Sequence, residues 1–280
     1  MITRRELGGL IGAAALGAAH ARAAKIDSTV RGVTIGAQSY SFRDRPLDAA
    51  IDAMKETGCG LCELYQGHIE PKDKTALAAW RKNPPIDELH AVRKRFDDAG
   101  INLYALNYSF RADWSDEETA KGFEIAKALG VKYITASANP SNAARIDKYA
   151  QQSKMIVAMH NHSNLRPNEF AREEDFAEAM KGTKNIKINF DIGHFTAANF
   201  DAVAFIEKHH QDIITLHIKD RKKNQGKNVP FGEGDTPIKQ VLQLLRDKKY
   251  KIPANIEFEY EGDPVVEVKK CVAYCKAALA

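Results

Sequence analysis

The sequence predicts an α/β fold, a single-domain (β/α)8 TIM barrel. Its 280 residues and 31.1 kDa lie within the size range of one such barrel. Eight short β-rich apolar runs alternate with helical patterns, and no linker of distinct composition interrupts the series. A doubly wound open sheet is the alternative, but no glycine-rich phosphate-binding turn follows the first run. The alternation therefore favours a closed parallel barrel.

The predicted strands and helices follow one another along the whole chain. The strands cover residues 33–37, 61–65, 101–106, 131–135, 155–159, 186–190, 213–218 and 254–258. The helical patterns include residues 46–57, 86–99, 116–129, 169–180 and 238–248, and a last helix runs from residue 264 to the C-terminus. Gly58, Gly100 and Gly130 each lie between a helical pattern and the next strand, which predicts that the helices before them end in glycine caps.

The first 23 residues have the features of an export signal. Arg4 and Arg5 precede a weakly hydrophobic stretch of glycine and alanine, and Ala21-Arg22-Ala23 forms a small-residue cleavage site. Paired arginines before such a stretch are typical of twin-arginine signals, which carry folded proteins out of the cytoplasm. An amphipathic helix is the alternative, but the segment lacks a helical apolar stripe. We expect a signal peptide over residues 1–23, a barrel over residues 24–280 and a periplasmic location.

Composition and charge exclude several classes of protein. The chain is 44% hydrophobic and 28% charged, a typical globular mixture. No apolar run approaches the roughly 20 residues of a membrane-spanning helix. The net charge is +4, and the first 23 residues contribute half of it, with three arginines against one glutamate. The remaining charge is too small to indicate a nucleic-acid partner.

The four cysteines allow two interpretations. In an exported protein they suggest disulfides, and Cys59 and Cys62 form a lone Cys-x-x-Cys motif. A redox motif of that kind usually opens a helix, whereas Cys62 falls inside a predicted strand. Cys271 and Cys275 are one turn apart on the last predicted helix. We expect all four to be buried thiols that act as small apolar side chains.

Polar residues collect where four consecutive predicted strands end. The ends of strands five to eight are residues 159–162, 189–194, 216–220 and 255–259, and they contain four of the nine histidines. The carboxyl ends of barrel strands meet on one rim, where barrel enzymes place their chemistry. A lone histidine there would be a hydrogen-bonded structural residue, but this concentration predicts a metal site formed by His160, Asp191, His217 and Glu257.

Strand alternation separates the candidate ligands from their neighbours. Side chains two residues apart share a face, so His160 pairs with His162, and Glu257 pairs with Glu259. We expect the first residue of each pair to lie deeper and to bind the metal. Two imidazoles and two carboxylates suit Mn²⁺, Zn²⁺, Co²⁺ or Fe²⁺ better than Ca²⁺. His162, His194 and Glu259 would then support the ligands or contact substrate.

These motifs resemble the xylose isomerase-like sugar phosphate isomerase/epimerase superfamily. The similar segments are Asp191-Ile192-Gly193-His194, His217-Ile218-Lys219-Asp220, Ile256-Glu257-Phe258-Glu259, residues 60–65 and residues 231–235. The resemblance covers essentially the whole mature chain. It implies a divalent metal at the ends of strands five to eight, which binds adjacent sugar oxygens and polarises a carbonyl. It also implies a small-molecule carbohydrate as substrate.

One departure from the family pattern bears on the reaction. In the ketose 3-epimerases of the superfamily, strands five and eight each supply a glutamate, and both glutamates also move the proton. Here His160 replaces the first glutamate, while Glu257 is retained. A metal-bound imidazole is a poor proton shuttle because its lone pair is committed. We therefore expect a lyase or hydratase acting on 3-keto-glycosides through an enediolate, as similar export-tagged members with histidine do, with sugar isomerisation or epimerisation as the alternative.

Further candidates lie at the ends of the first four strands. Gln38, Tyr65 and Asn107 offer the amide, hydroxyl and aromatic groups that suit a polyol, so we expect them to bind substrate. Tyr65 could equally serve as a packing residue.

The candidates for proton transfer are Glu257, Lys219 and Glu63. Arg221 begins a basic run, Arg221-Lys222-Lys223, which is expected to be a solvated loop.

Two other classes are disfavoured. The intact metal set argues against a non-catalytic carbohydrate-binding barrel. A barrel resembling endonuclease IV would need many more histidine and glutamate ligands for three zinc ions. A periplasmic location would also disfavour phosphorylated sugars as substrates, because these are largely cytoplasmic.

Overall fold

A computed structural model describes residues 24–280 of the chain. In chain order its strands are β1 (Thr29–Val30), β2 (Val33–Gln38), β3 (Leu61–Tyr65), β4 (Asn102–Asn107), β5 (Tyr133–Ala136), β6 (Ile156–His160), β7 (Ile186–Asp191), β8 (Ile213–Ile218), β9 (Asp220–Arg221), β10 (Asn228–Val229) and β11 (Ala254–Ile256). Eight of them, β2 to β8 and β11, pair in parallel, and β11 pairs with β2 to close the ring. The predicted (β/α)8 barrel is confirmed.

Helices surround this barrel. They are α1 (Leu47–Thr57), α2 (Lys74–Lys82), α3 (Ile86–Asp98), α4 (Asp116–Ala128), α5 (Ala143–Ser153), α6 (Glu173–Met180), α7 (Ile192–Ala197), α8 (Ala202–His209), α9 (Ile238–Asp247) and α10 (Pro264–Leu279). Gly58, Gly100 and Gly130 have φ of 77°, 73° and 66°. These glycines therefore adopt the left-handed conformation that was predicted for them.

Strand alternation separates a polar barrel interior from an apolar outer layer. On β7, Phe190 faces outward and stacks on Phe205 of α8 with ring centroids 4.2 Å apart. Its neighbours Asn189 and Asp191 face inward and are fully buried. The outer layer between strands and helices is the hydrophobic core, whereas the middle of the barrel is a hydrogen-bonded network. That network lies directly beneath the predicted metal ligands.

Several sequence-based boundaries differ from the observed ones, and three of them are near the strand ends of the predicted site. Strand eight ends at Ile256, although the N–H of Glu257 still donates to the carbonyl of Ile218 at 3.1 Å. The predicted helix 169–180 begins only at Glu173. Strand six ends at Asp191, and α7 starts at once because Asp191 Oδ1 accepts from the N–H of His194 at 2.7 Å. His194 is therefore in a first helical turn and not on a strand.

All four cysteines are buried and free, as predicted. Burial raises the pKa of the Cys59 thiol to about 11 and that of Cys271 to about 12. The predicted export signal lies outside the described residues. Within residues 24–280 we find no helix that is both long enough and apolar enough to cross a membrane.

Candidate active site

The structure brings the four predicted metal ligands to one point. His160 and Asp191 are the last residues of β6 and β7, His217 is near the end of β8, and Glu257 follows β11. One ligand-type atom from each of the four lies within 4.8 Å of the others. All four side chains are buried. Adjacent strands of one barrel therefore place two imidazoles and two carboxylates around one position.

Each of the four side chains also has one buried atom without a well-directed hydrogen bond. These atoms are Nδ1 of His160, Oδ2 of Asp191, Nδ1 of His217 and Oε2 of Glu257. Buried polar atoms normally make hydrogen bonds, whereas three of these atoms instead have ionic contacts with one another or with Lys219, and Nδ1 of His160 makes no hydrogen bond. Four such atoms from four strands match the donor set of a mixed N/O divalent-metal site. The residues present fit a divalent metal.

Neighbouring groups determine which atom His217 and Asp191 offer to the cluster. Nε2 of His217 donates to both carboxylate oxygens of Glu63, at 2.9 Å each, which leaves Nδ1 facing the cluster. Asp191 uses Oδ1 to cap α7, which leaves Oδ2. The side chain of Asn161 makes two hydrogen bonds with the backbone of Asp191, at 2.9 and 3.0 Å. A carboxylate that holds the far nitrogen of a histidine is a common second layer around protein metals.

Burial and charge shift the pKa values of the two candidate carboxylate ligands in opposite directions. Burial raises the pKa of Asp191 to about 6, although the ammonium group of Lys219 opposes this. Burial would also raise the pKa of Glu257, but the positive charges of Lys219 and His217 outweigh it and hold that pKa well below its usual range. Glu257 is therefore ionised at neutral pH.

The pKa values of the two candidate histidine ligands are also shifted in opposite directions. Burial, reinforced by the neighbouring His217, holds the pKa of His160 well below its usual range, so its ring is neutral and can offer a lone pair. Burial disfavours charge on His217 too, but the carboxylates of Glu63 and Glu257 outweigh it and raise the pKa of His217. A metal bound at Nδ1 would displace that proton, so metal binding and proton release are coupled.

Lys219 is inside the site, as predicted, and its ammonium group is surrounded by carboxylates. Nζ lies 2.7 Å from Glu257 Oε2 and 3.2 Å from Asp191 Oδ2, and it also contacts Glu259. Burial disfavours the charged form, but these carboxylates outweigh it and raise the pKa of Lys219. The side chain thus acts as a fixed positive charge that holds its proton.

The predicted substrate-binding residues line one cavity above this cluster. Its volume is about 330 Å³, within the usual range of small-ligand pockets. The predicted residues in its wall are Gln38, Tyr65, Asn107, His162, His194 and Glu259, joined by Tyr40, Ser109 and Ser137. His160 and His162 have ring centroids 4.9 Å apart, and Glu259 is more exposed than Glu257, as alternation predicted. Their contact with substrate stays a prediction.

Glu63, a predicted candidate for proton transfer, does not line this cavity. It is fully buried beneath the cluster and accepts hydrogen bonds from Thr135 at 2.6 Å and Gln38 at 3.2 Å, besides those from His217. Asn189 and Asn255 donate to it at 3.5 and 3.3 Å. A carboxylate enclosed by protein donors is poorly placed to take a proton from substrate. The geometry assigns Glu63 to holding His217.

Arg221 was predicted to be a solvated loop residue, and the structure contradicts this. Its Nη1 donates to Nδ1 of His194 at 2.7 Å and to the hydroxyl of Ser163 at 3.0 Å. Nε and Nη2 donate to the carbonyl of Gly226. Arg221 therefore orients a histidine of the pocket. Within the basic run Arg221-Lys222-Lys223, the exposed residues are Lys222 and Lys223.

Comparison with known proteins places this architecture in a family. The model of the xylose isomerase-like TIM barrel matches residues 51–277. The chain belongs to this family. A curated relative, L-ribulose-5-phosphate 3-epimerase UlaE of Escherichia coli, is 35% identical over 241 residues, which cover 83% of this chain and 77% of the relative. Membership in this family and this relative support an enzyme that acts on sugars.

Two solved structures share the fold of this chain. The 3-keto-D-glucoside 4-epimerase YcjR from E. coli has a TM-score of 0.68 and 13% identity, covering 88% of this chain and 99% of its own. The IOLI protein with a bound zinc atom has a TM-score of 0.63 and 14% identity, covering 88% of this chain and 95% of its own. At these identities the likeness establishes the fold alone.

Proposed function

We propose that this protein is a divalent-metal-dependent enzyme that eliminates the leaving group of a 3-keto-glycoside, or adds water in the reverse direction. The observation that carries the proposal is His160, an imidazole of lowered pKa in the cluster at the end of β6. A two-sided proton exchange would use a carboxylate there. Glu257 alone remains as a metal-site carboxylate that is both ionised and on the cavity wall.

The charges around the cavity favour an uncharged sugar. Among the described residues that line it, Lys219 carries the only permanent positive charge, and three carboxylates already neutralise it. A phosphate group would need uncommitted cations, typically arginines in bidentate contact. Hydroxyl groups would instead find the amides of Gln38 and Asn107.

The roles of the chain's own residues follow from their positions. A bound divalent metal would supply Lewis-acid polarisation of a sugar carbonyl. Glu257 would accept the proton from the carbon between the carbonyl and the glycosidic carbon. The freed electron pair would form a carbon–carbon double bond as the glycosidic C–O bond breaks. Lys219 would keep Glu257 ionised before the proton moves.

The leaving oxygen must gain a proton to depart as an alcohol. Lys219 holds its own proton among three carboxylates, which makes it a weaker donor than first expected. Burial, aided by the charge of Lys219, lowers the pKa of His162 and His194, so both rings are neutral at rest; either ring would take up a proton from water and pass it on to the leaving oxygen. We assign the proton-donor role to these histidines.

Sugar epimerisation is the second candidate. The 35%-identical relative named as an L-ribulose-5-phosphate 3-epimerase favours it. A groove beside Glu259 contains Arg43 and Arg221, which could attract a phosphate. However, Nη1 of Arg43 donates to the carbonyls of Tyr40 and Phe258, and Arg221 is engaged as described above. These engagements favour the uncharged substrate.

Incubation in D₂O tests the two reactions against each other. The protein loaded with Mn²⁺, Zn²⁺ or Co²⁺ is mixed with methyl 3-keto-glucoside or with a free ketose, and products are followed by NMR. We expect loss of methanol and appearance of an unsaturated sugar from the first substrate. Deuterium at carbon with the aglycone retained, together with efficient epimerisation of the ketose, would favour the second candidate.

We also propose export of the folded protein by the segment that contains Arg4 and Arg5. Changing both arginines to lysine should retain the full-length chain in the cytoplasm without altering barrel stability, because neither residue lies within the predicted barrel. Cell fractionation and N-terminal sequencing measure this. An uncleaved wild-type protein found in the cytoplasm would contradict the proposal.

A further inference from the structure

A second cavity adjoins the one above the candidate metal ligands. Its volume is about 570 Å³, and it lies along the loops that follow β4, β5 and β6. Ser137 and His162 belong to the walls of both cavities. A ligand that fills the first cavity can therefore extend past these two side chains into the second.

The walls of this second cavity suit a neutral, hydroxyl-rich group. They contain the amides of Asn139 and Asn164 and the carboxylate of Glu169. Arg111 is the cationic side chain among the described residues of this wall, and Asp113 neutralises it through two hydrogen bonds of 2.9 and 2.8 Å. The excess of negative charge disfavours a phosphate. Amide and carboxylate groups instead match the hydroxyls of a second sugar.

Hydrogen bonds between loops hold the walls in place without a ligand. Asn139 Nδ2 donates to the carbonyl of Asn168 at 2.7 Å, and the N–H of Ser141 donates to Asn168 Oδ1 at 3.0 Å. Within the loop after β6, the N–H of His162 donates to the carbonyl of Phe170 at 2.8 Å. The loops after β5 and β6 are thus tied together. A preformed site of this kind avoids the cost of ordering loops on binding.

We propose that the second cavity binds the leaving group of the substrate, and that this group is a neutral sugar or similar polyol. This inference rests on the proposed function. His162 and Ser137 then flank the bond that breaks, because they stand at the junction of the two cavities. The substrates would then be 3-keto disaccharides and not monosaccharide derivatives.

A bulky side chain on the wall tests this assignment. Ala112 is exposed and, of the two cavities, lines only the second, so the indole of Ala112→Trp would occupy part of it without disturbing the core. Lys227→Trp is the matched control, since Lys227 is exposed and lines the groove on the other side, next to Glu259. The kcat/KM of each variant is measured with methyl 3-keto-glucoside and with a 3-keto glucose–glucose disaccharide.

We expect Ala112→Trp to lower kcat/KM for the disaccharide by about tenfold or more, the effect of losing roughly two neutral hydrogen bonds, and to leave the methyl glycoside within about twofold. Lys227→Trp should change neither. Retained disaccharide activity in Ala112→Trp, or a selective loss in Lys227→Trp, would overturn the assignment.

Binding separates this inference from the proposed reaction. Calorimetry on the metal-loaded wild type compares an unoxidised glucose–glucose disaccharide with methyl glucoside. If no 3-keto-glycoside is turned over, the proposed function fails, yet a disaccharide preference that disappears in Ala112→Trp still supports the second sugar site. If the disaccharide binds no better than methyl glucoside in the wild type, the site is refuted whatever the reaction.

Discussion

Replacing Glu63 by glutamine tests whether the buried network beneath the cluster controls metal affinity. The substitution keeps the shape of the side chain and removes its charge. Oε1 of Glu63 accepts from four donors, whereas Oε2 accepts from His217 and Asn255. The new NH₂ group would therefore take the place of Oε2, where it meets fewer donors. Two donor–donor contacts still result, with His217 Nε2 and with Asn255 Nδ2.

The size of the effect follows from these contacts. Losing the negative charge and one of the two contacts that orient His217 should lower metal affinity by about 10–100-fold, the usual cost of altering an outer hydrogen-bond partner of a histidine ligand. That range corresponds to about 1.4–2.8 kcal/mol. The donor–donor contact with Asn255 should lower the free energy of unfolding by about 1–3 kcal/mol.

Competition with a chelating dye for Zn²⁺ measures the affinity, and thermal unfolding with and without metal measures stability. Glu70→Gln is the matched control, because Glu70 is a buried carboxylate that binds Arg81 at 2.8 Å away from the candidate site. It should lower stability but not metal affinity. If Glu63→Gln binds Zn²⁺ as tightly as the wild type, the role given to Glu63 is refuted.

Three further outcomes follow from described contacts. Alanine at any one of the four candidate ligands should remove bound metal, measured by elemental analysis, whereas Lys222→Ala on the exposed loop should retain it. Gly193→Ala should lower stability by about 1–3 kcal/mol in thermal unfolding, because its Cβ would lie 2.7 Å from the carbonyl oxygen of Lys219; an unchanged melting temperature would show that α7 can shift. Because burial raises the pKa of Cys59 to about 11 and of Cys271 to about 12, the folded state keeps protons that the unfolded chain loses. The free energy of unfolding should therefore be fully retained below about pH 8.5 and fall towards pH 11 in urea titrations, and the native thiols should not react with a thiol reagent at pH 8.

The four candidate ligands could be predicted because each depends on a short-range rule. A position at the end of a strand predicts that a residue lies at the rim of the barrel, and alternation predicts that its side chain faces the interior. These two rules predict the four ligands His160, Asp191, His217 and Glu257. The same rules also give the relative depth of Glu257 and Glu259. The structure brings the four ligands together because parallel pairing places adjacent strand ends at one level, as Asp191 pairs with His217.

The incorrect predictions for Glu63 and Arg221 concern positions that depend on residues far away in the sequence. Alternation predicts that Glu63 points inward, but its height along the barrel depends on the stagger between strands, where β3 and β4 shift register between Cys62 and Glu63. Arg221 was misjudged because its surroundings form only when residues 221–229 fold back as the hairpin β9–β10. A charged residue beside a strand end, followed by a glycine-rich segment, was the signal available in the sequence.

The candidate ligands belong to the strand ends of the barrel, whereas the second cavity is lined by connecting loops. Mutations in those loops can thus change which molecules are accepted while the strand ends keep their positions. Directed evolution for new leaving groups would therefore begin with combinatorial libraries at residues 110–113 and 164–169. Selection there would act on substrate range, and the chemical step would be inherited unchanged from the parent.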